Sequence, residues 1–224
     1  QQAIPATDYY LDELGVKKFA LLGTDYVYPR TTNKILKQYL IDKGIPESDI
    51  FVNYTPFGHS DWSKIVSDVV SLGADGKKVG VISTINGDAN IGFYKELAAA
   101  GVKADDIPVV AFSVGEEELS GLDTTNLVGH LAAWNYFQSA ESDLNTSFIK
   151  AWKSKMGDKR VTNDPMEAHV IGFEMYVKAV EKAGTTDVDA VRKAMYGMKV
   201  AHLTGGTAEM LPTRQLSQPD LIGE

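Results

Sequence analysis

Short apolar runs and amphipathic stretches alternate along the first two thirds of the chain. Lys18 to Gly23 reads KFALLG, an apolar run closed by glycine, which predicts a buried strand. Tyr28 to Lys43 carries Ile35, Leu36, Tyr39 and Leu40 at helical spacing and stops at Gly44. Ile50 to Tyr54 predicts a second strand. Ser60 and Asp61 stand where a helix cap belongs, ahead of Trp62, Ile65, Val66, Val69 and Val70 on one expected apolar face. Lys78 to Thr84 (KVGVIST) predicts a third strand, and Ile91 to Ala100 a helix closed by Gly101. Pro108 to Ser113 (PVVAFS) predicts a fourth strand, and Leu127 to Phe137 an extended fifth.

Strands alternating with helices imply βαβ units, a mostly parallel sheet and right-handed crossovers with helices on both faces. After Phe137 the pattern changes. Asn145 to Met156, Pro165 to Ala183 and Val188 to Met198 all read as helices, and the tail from His202, with Gly205-Gly206 and Pro212, reads as hairpin or loop. Three successive helices need a sheet to cover, and the chain does not obviously supply a second one. The expectation is that part of the protein lies outside this sequence.

Composition narrows the chemistry. The 224 residues allow one large or two small domains, and 44% hydrophobic with 23% charged residues is an ordinary globular balance without a disorder signature. The net charge of -8, spread along the chain, repels phosphate backbones and argues against a nucleic-acid partner. With no cysteine there are no disulfides, thiolate nucleophiles or cysteine metal sites. No apolar run approaches the roughly 20 residues that span a bilayer, so no direct membrane insertion is expected. Gln1-Gln2-Ala3-Ile4-Pro5 is polar and then helix-like rather than a leader peptide, so either a leader was removed or the chain is an internal piece.

In an open parallel sheet, ligands bind beyond the carboxyl ends of the strands. The segments that follow the predicted strands are Thr24-Asp25-Tyr26-Val27-Tyr28-Pro29-Arg30, Ile85-Asn86-Gly87-Asp88-Ala89-Asn90, Val114-Gly115-Glu116-Glu117-Glu118 and Trp134-Asn135-Tyr136-Phe137. Together they offer aromatic walls, amide and carboxylate acceptors and backbone N–H groups, a mixture suited to a small neutral polar ligand rich in N–H donors. Each residue also has a plainer use. Asp25 and Asp88 can be helix caps, Tyr26 and Tyr28 surface tyrosines, Glu116 to Glu118 a solvated helix start, and Trp134 a packing residue at a domain crossing.

Enzyme signatures are weak. There is no G-x-S-x-G elbow, no H-E-x-x-H and no G-x-G-x-x-G after a strand. Gly73-Ala74-Asp75-Gly76-Lys77-Lys78 has the wrong spacing for a phosphate loop. His59, His130, His169 and His202 are scattered without ligand spacing, so neither metal nor cofactor is expected. Asn145-Thr146-Ser147 is a formal glycosylation sequon that reads more simply as a helix cap.

Ala3-Ile4-Pro5-Ala6, GTDYVYPRTTNKI (23–35), STINGDAN (83–90), FSVGEEEL (112–119), GHLAAWNYFQS (129–139) and TNDPMEAHVIGF (162–173) occur in this order. Over essentially the whole chain they closely resemble the urea-binding proteins of ABC transporters. More distantly they resemble the amide-sensing regulators of the same fold. The resemblance implies an α/β, type I periplasmic-binding-protein fold: parallel sheets flanked by helices, in two lobes with a hinge and a ligand cleft between them. It implies that residues 1–133 are mostly the second lobe, 134–200 recross the hinge and supply helices of the first lobe, and 201–224 return toward the hinge. The opening part of the first lobe would precede Gln1.

The same resemblance implies that Tyr26 and Tyr28 wall the amide pocket beside Asp25. Asn86, Gly87 and Asp88 match the loop after the third strand, and Ser113 and Glu116 the loop after the fourth; Trp134 is a further ligand-binding candidate from its place after the fifth strand rather than from the resemblance. The implied protein is a periplasmic or externally lipid-anchored receptor that grips urea or a short amide and hands it to a membrane permease without changing it. A cytosolic amide-sensing regulator and a branched-chain amino-acid receptor are the same-fold alternatives. An amide hydrolase is the enzyme alternative, and no nucleophile–base pair supports it.

Overall fold

The structure is a computed structural model and describes residues 2–224. The chain divides into two compact units, Gln1–Trp134 with Ile222–Glu224, and Asn135–Leu221.

The first unit contains α1 (Ala3–Asp12), β1 (Lys18–Thr24), α2 (Val27–Asp42), β2 (Ile50–Thr55), α3 (Ser63–Leu72), β3 (Val79–Thr84), α4 (Ala89–Ala99), β4 (Val109–Ala111), the short α5 (Glu116–Leu119) and β5 (Leu131–Trp134). Its sheet runs β2-β1-β3-β4-β5, and the last strand of the chain, β9 (Leu221–Gly223), lies beside β5. The pairings β1–β2, β1–β3, β3–β4 and β4–β5 are all parallel. Every residue of β1 and of β3 is buried, because helices cover both faces. Alternation sorts the side chains: Ala20 and Leu22 pack with Trp62, just before α3, and with Val66, Val69, Phe93 and Leu97 of α3 and α4. Phe19 and Leu21 pack with Tyr10 of α1 and Leu36 and Leu40 of α2.

Two residues assigned to apolar faces lie off them. The buried stripe of α2 is Pro29, Asn33, Leu36 and Leu40, so Ile35 is turned outward and is 52% exposed. On α3 the stripe continues from Trp62 through Ile65, Val66 and Val69, and Val70 is exposed. The fifth strand is also shorter than expected. Thr124–Asn126 form a 3-10 turn, the His130 N–H donates to Leu127 O, and Gly129 adopts φ 86°, so only Leu131–Trp134 extend.

The second unit holds α6 (Asp143–Met156), α7 (Asp164–Ala183), α8 (Val188–Met195) and three short strands, β6 (Lys199–Ala201), β7 (Thr207–Met210) and β8 (Leu216–Ser217). These strands form an antiparallel sheet in that order, where the sequence suggested hairpin or loop. Ile171 and Met175 of α7 pack on Val200 and Ala208 of this sheet, while Ala179 packs on Val191 and Ala194 of α8. The helix expected to run to Met198 ends at Met195, because the chain turns at Gly197 (φ 73°) into β6. Asn145 is not the cap of α6: Ser142 is, accepting the Asn145 N–H at 3.0 Å. The Asn145 side chain is buried, accepting from the Tyr136 hydroxyl and donating to Gln138 O and Ala140 O.

Candidate functional site

The parallel register places the ends of β1, β3, β4 and β5 side by side along one carboxyl edge of the first unit's sheet. Hydrogen bonds then join neighbouring loops. The Asp25 N–H donates to Thr55 O at 2.7 Å, and the Asn86 N–H donates to Thr24 Oγ1 at 2.9 Å. The Phe112 N–H donates to Ser83 O at 3.0 Å, and the Trp134 indole N–H donates to Phe112 O at 2.7 Å. The segments carrying Asp25, Tyr26, Tyr28, Asn86, Gly87, Asp88, Ser113, Glu116 and Trp134 therefore follow one another along a single edge.

After β1, Tyr26 is the residue immediately before α2, and its ring centroid lies 6.1 Å from that of Tyr28. The neighbour that sequence reasoning missed is Phe57, 5.1 Å from Tyr26 and 64% exposed. It sits in the loop after β2, beside Gly58 at φ 72°. Reading the loop after the edge strand by the rule applied to the others would have found it. Burial pushes the Tyr28 hydroxyl up to about 12, with Tyr26 adding to the shift, so it remains a protonated donor and acceptor. Asp25 is not a cap. Its carboxylate accepts from Arg30 Nε and Nη2, at 2.5 and 3.1 Å, and hydrogen bonding to that guanidinium holds its titration below the usual aspartate range. Arg30 in turn lies over the Tyr54 ring, 4.7 Å from its centroid.

After β3, the Asn86 side-chain amide donates to Thr84 O at 3.1 Å, leaving its carbonyl as an acceptor. Gly87 takes φ 66°, a left-handed turn that lets α4 start two residues later. Asp88 precedes that helix, is exposed and makes no side-chain cap hydrogen bond. After β4, Ser113 and Glu116 are partly buried, and the Glu118 carboxylate accepts the Gly115 N–H at 3.0 Å. Trp134 is 5% exposed and its ring lies against Gly115. The loop with a faint phosphate-loop look lies at the opposite, amino edge. There Asp75 pairs with Lys18, the first residue of β1, at 2.9 Å, and Lys77 pairs with Asp49 at 3.0 Å.

This edge thus combines an aromatic cluster with hydroxyl, amide and carboxylate groups that can receive N–H donors.

Residues 1–224 match the family model described as periplasmic binding protein domain. Among solved structures, similar folds include a solute-binding protein of an ABC transporter from Rhodopseudomonas palustris HaA2 in complex with p-hydroxybenzoic acid. It has 24% identity and a TM-score of 0.84, covering 99% of this chain and 59% of that one. An amino-acid ABC transporter substrate-binding protein from Pseudomonas fluorescens Pf-5 gives 17% identity and a TM-score of 0.80, covering 99% and 57%. A leucine-binding protein from Thermotoga maritima gives 14% identity and a TM-score of 0.81, covering 99% and 61%. The chain therefore spans about three fifths of the length of these structures.

Proposed function

The chain belongs to the periplasmic-binding-protein family, and on that premise we propose that it is the solute-gripping part of an ABC-transporter receptor whose solute is urea or a short amide. The observation that carries the choice of solute is the Asp25–Arg30 pair. A guanidinium on the binding edge is already neutralised by its own carboxylate, so an anionic solute finds that charge taken. Urea brings four N–H donors and one carbonyl. Asn86, Asp88, Ser113 and Glu116 supply acceptors, Tyr28 and Ser113 supply hydroxyl donors, and Tyr26 and Phe57 give flat apolar faces.

In this reading solute held at the edge is closed over by the facing lobe of the complete receptor. Contacts made only in the closed state drive that closure, and no bond is made or broken. The closed receptor then docks on a membrane permease, which places it in the periplasm or on a lipid anchor outside the cytoplasmic membrane. A leader peptide in the full gene separates this receptor from a cytosolic regulator of the same fold. An amino-acid or aromatic-acid solute is the second reading, favoured by what the similar proteins from Thermotoga maritima and Rhodopseudomonas palustris bind. Calorimetry of the protein with urea, acetamide, leucine and 4-hydroxybenzoate decides between them. Heat of binding for urea or acetamide alone supports the proposal, and binding of leucine or the benzoate alone overturns it.

A further inference from the structure

Gly115 opens the loop that presents Glu116, and its backbone does not need glycine: φ -145° and ψ -159° are extended values that any residue adopts. What requires glycine is the indole of Trp134. A methyl group built on Gly115 would overlap Cζ3 at the edge of the indole's outer ring and stand 2.8 Å from Cη2 and 2.9 Å from Cε3. The same indole is fixed at its other end, donating from Nε1 to Phe112 O at 2.7 Å. One rigid side chain therefore touches the β4 loop on both sides of Ser113, through the carbonyl before it and the glycine after it. Trp134 is the last residue of β5, where the chain passes from the first unit into Asn135.

We propose that Trp134 is a positioning residue, which holds the β4 loop in the conformation that presents Ser113 and Glu116 to solute rather than touching solute itself. The inference rests on the proposed receptor function for its meaning and on the indole–glycine fit for its evidence. A phenyl ring at position 134 is shorter than indole and vacates the outer-ring space, so the two positions should trade volume.

The test is a double-substitution cycle with Gly115→Ala, Trp134→Phe and the pair, read by amide hydrogen exchange in the solute-free protein and by calorimetry with the solute panel. Gly115→Ala is expected to speed exchange at residues 114–119 about tenfold and to weaken solute binding by a similar factor, and adding Trp134→Phe should recover at least about half of each loss on a logarithmic scale. Should Gly115→Ala not fold, Trp134→Phe alone decides. Faster exchange confined to 114–119 supports the proposal, and an equal rise across β4 and β5 marks general packing and overturns it. Unchanged exchange in Gly115→Ala, or a pair no better than Gly115→Ala alone, also overturns it. If the unaltered protein binds no member of the panel, the receptor reading fails and the exchange results still decide the role of Trp134.

Discussion

The backbone N–H of Asn86 donates to the hydroxyl of Thr24 at 2.9 Å, so the loop after β3 is fastened to the end of β1. Both atoms lie where the two strands stop pairing, and Thr24 is fully buried. Thr24→Val keeps the shape and β-branching of the residue but leaves that N–H without its acceptor, which costs about 1–3 kcal/mol. Solute affinity should fall about tenfold because Asn86 and Asp88 lose their anchor. Calorimetry on the variant checks this, and unchanged affinity would show that the loop is held by other means.

At Gly23 the start of α2 packs closely on the sheet. A Cβ there would stand 2.5 Å from Thr84 Oγ1 and 2.7 Å from Pro29 Cβ, inside a fully buried layer. Gly23→Ala is expected to destabilise the first unit by about 2 kcal/mol or more, since neither a β3 hydroxyl bonded to Leu22 O nor a proline ring can give way cheaply. A denaturant midpoint unmoved by the substitution would contradict the packing described.

Some of this was legible in the sequence, and the differences have physical causes. KFALLG declared a strand covered on both faces because every one of its positions is apolar or flanks an apolar run, and β1 is buried throughout. Ile35 and Val70 were misplaced because a 3.6-residue period leaves two adjacent candidates for each turn, and only the neighbouring sheet chooses between them. The strands β6 to β8 are two to four residues long and are joined through Gly205-Gly206 and Pro212, so no local period announces them. Their pairing is a tertiary event made on α7. Asp25 looked like a cap by type, and nothing local revealed that Arg30, five residues on, would claim it.

Asn145 offers a separate check on that distinction. As a buried hub it accepts from Tyr136 at 2.7 Å and donates to two backbone carbonyls, and the same Tyr136 hydroxyl also meets Thr162 Oγ1 at 2.7 Å. Asn145→Ala is expected to cost about 3 kcal/mol in the second unit. Expression in a glycosylating host should leave the sequon bare, which mass spectrometry would show.

A pH dependence follows from Glu167 on α7. Burial, with Asp164 nearby, raises its titration to about 7, and its Oε1 lies 3.1 Å from Nε2 of the buried His202. Nδ1 of that ring accepts the Thr204 N–H, so Nε2 carries the hydrogen that faces Glu167. Burial lowers the titration of His202, so the imidazole stays neutral. Asp220 is raised to about 6 by burial and by Asp164, whose own shift is also upward from burial. At Glu167 the folded state therefore holds more proton than the unfolded one between about pH 4.5 and 7, and Asp220 acts in the same direction, whereas the neutral His202 acts in the opposite one. This contribution is fully present below that window and is lost as the pH rises through it, on the order of 2 kcal/mol for Glu167 after allowance for solvent screening. Glu167→Gln should flatten the fall in melting temperature between pH 5 and pH 8, and a variant as pH-sensitive as the parent would place the proton elsewhere.

The measurement that bears most directly on the central claim is calorimetric titration of urea into the full-length protein and into its Tyr26→Ala and Asp88→Ala variants. The receptor reading predicts saturable binding by the parent and affinities lower by about tenfold or more in both variants, with melting temperatures little changed because Tyr26 is partly exposed and Asp88 exposed. Equal affinity in all three proteins would mean that the carboxyl edge of this sheet does not grip the solute.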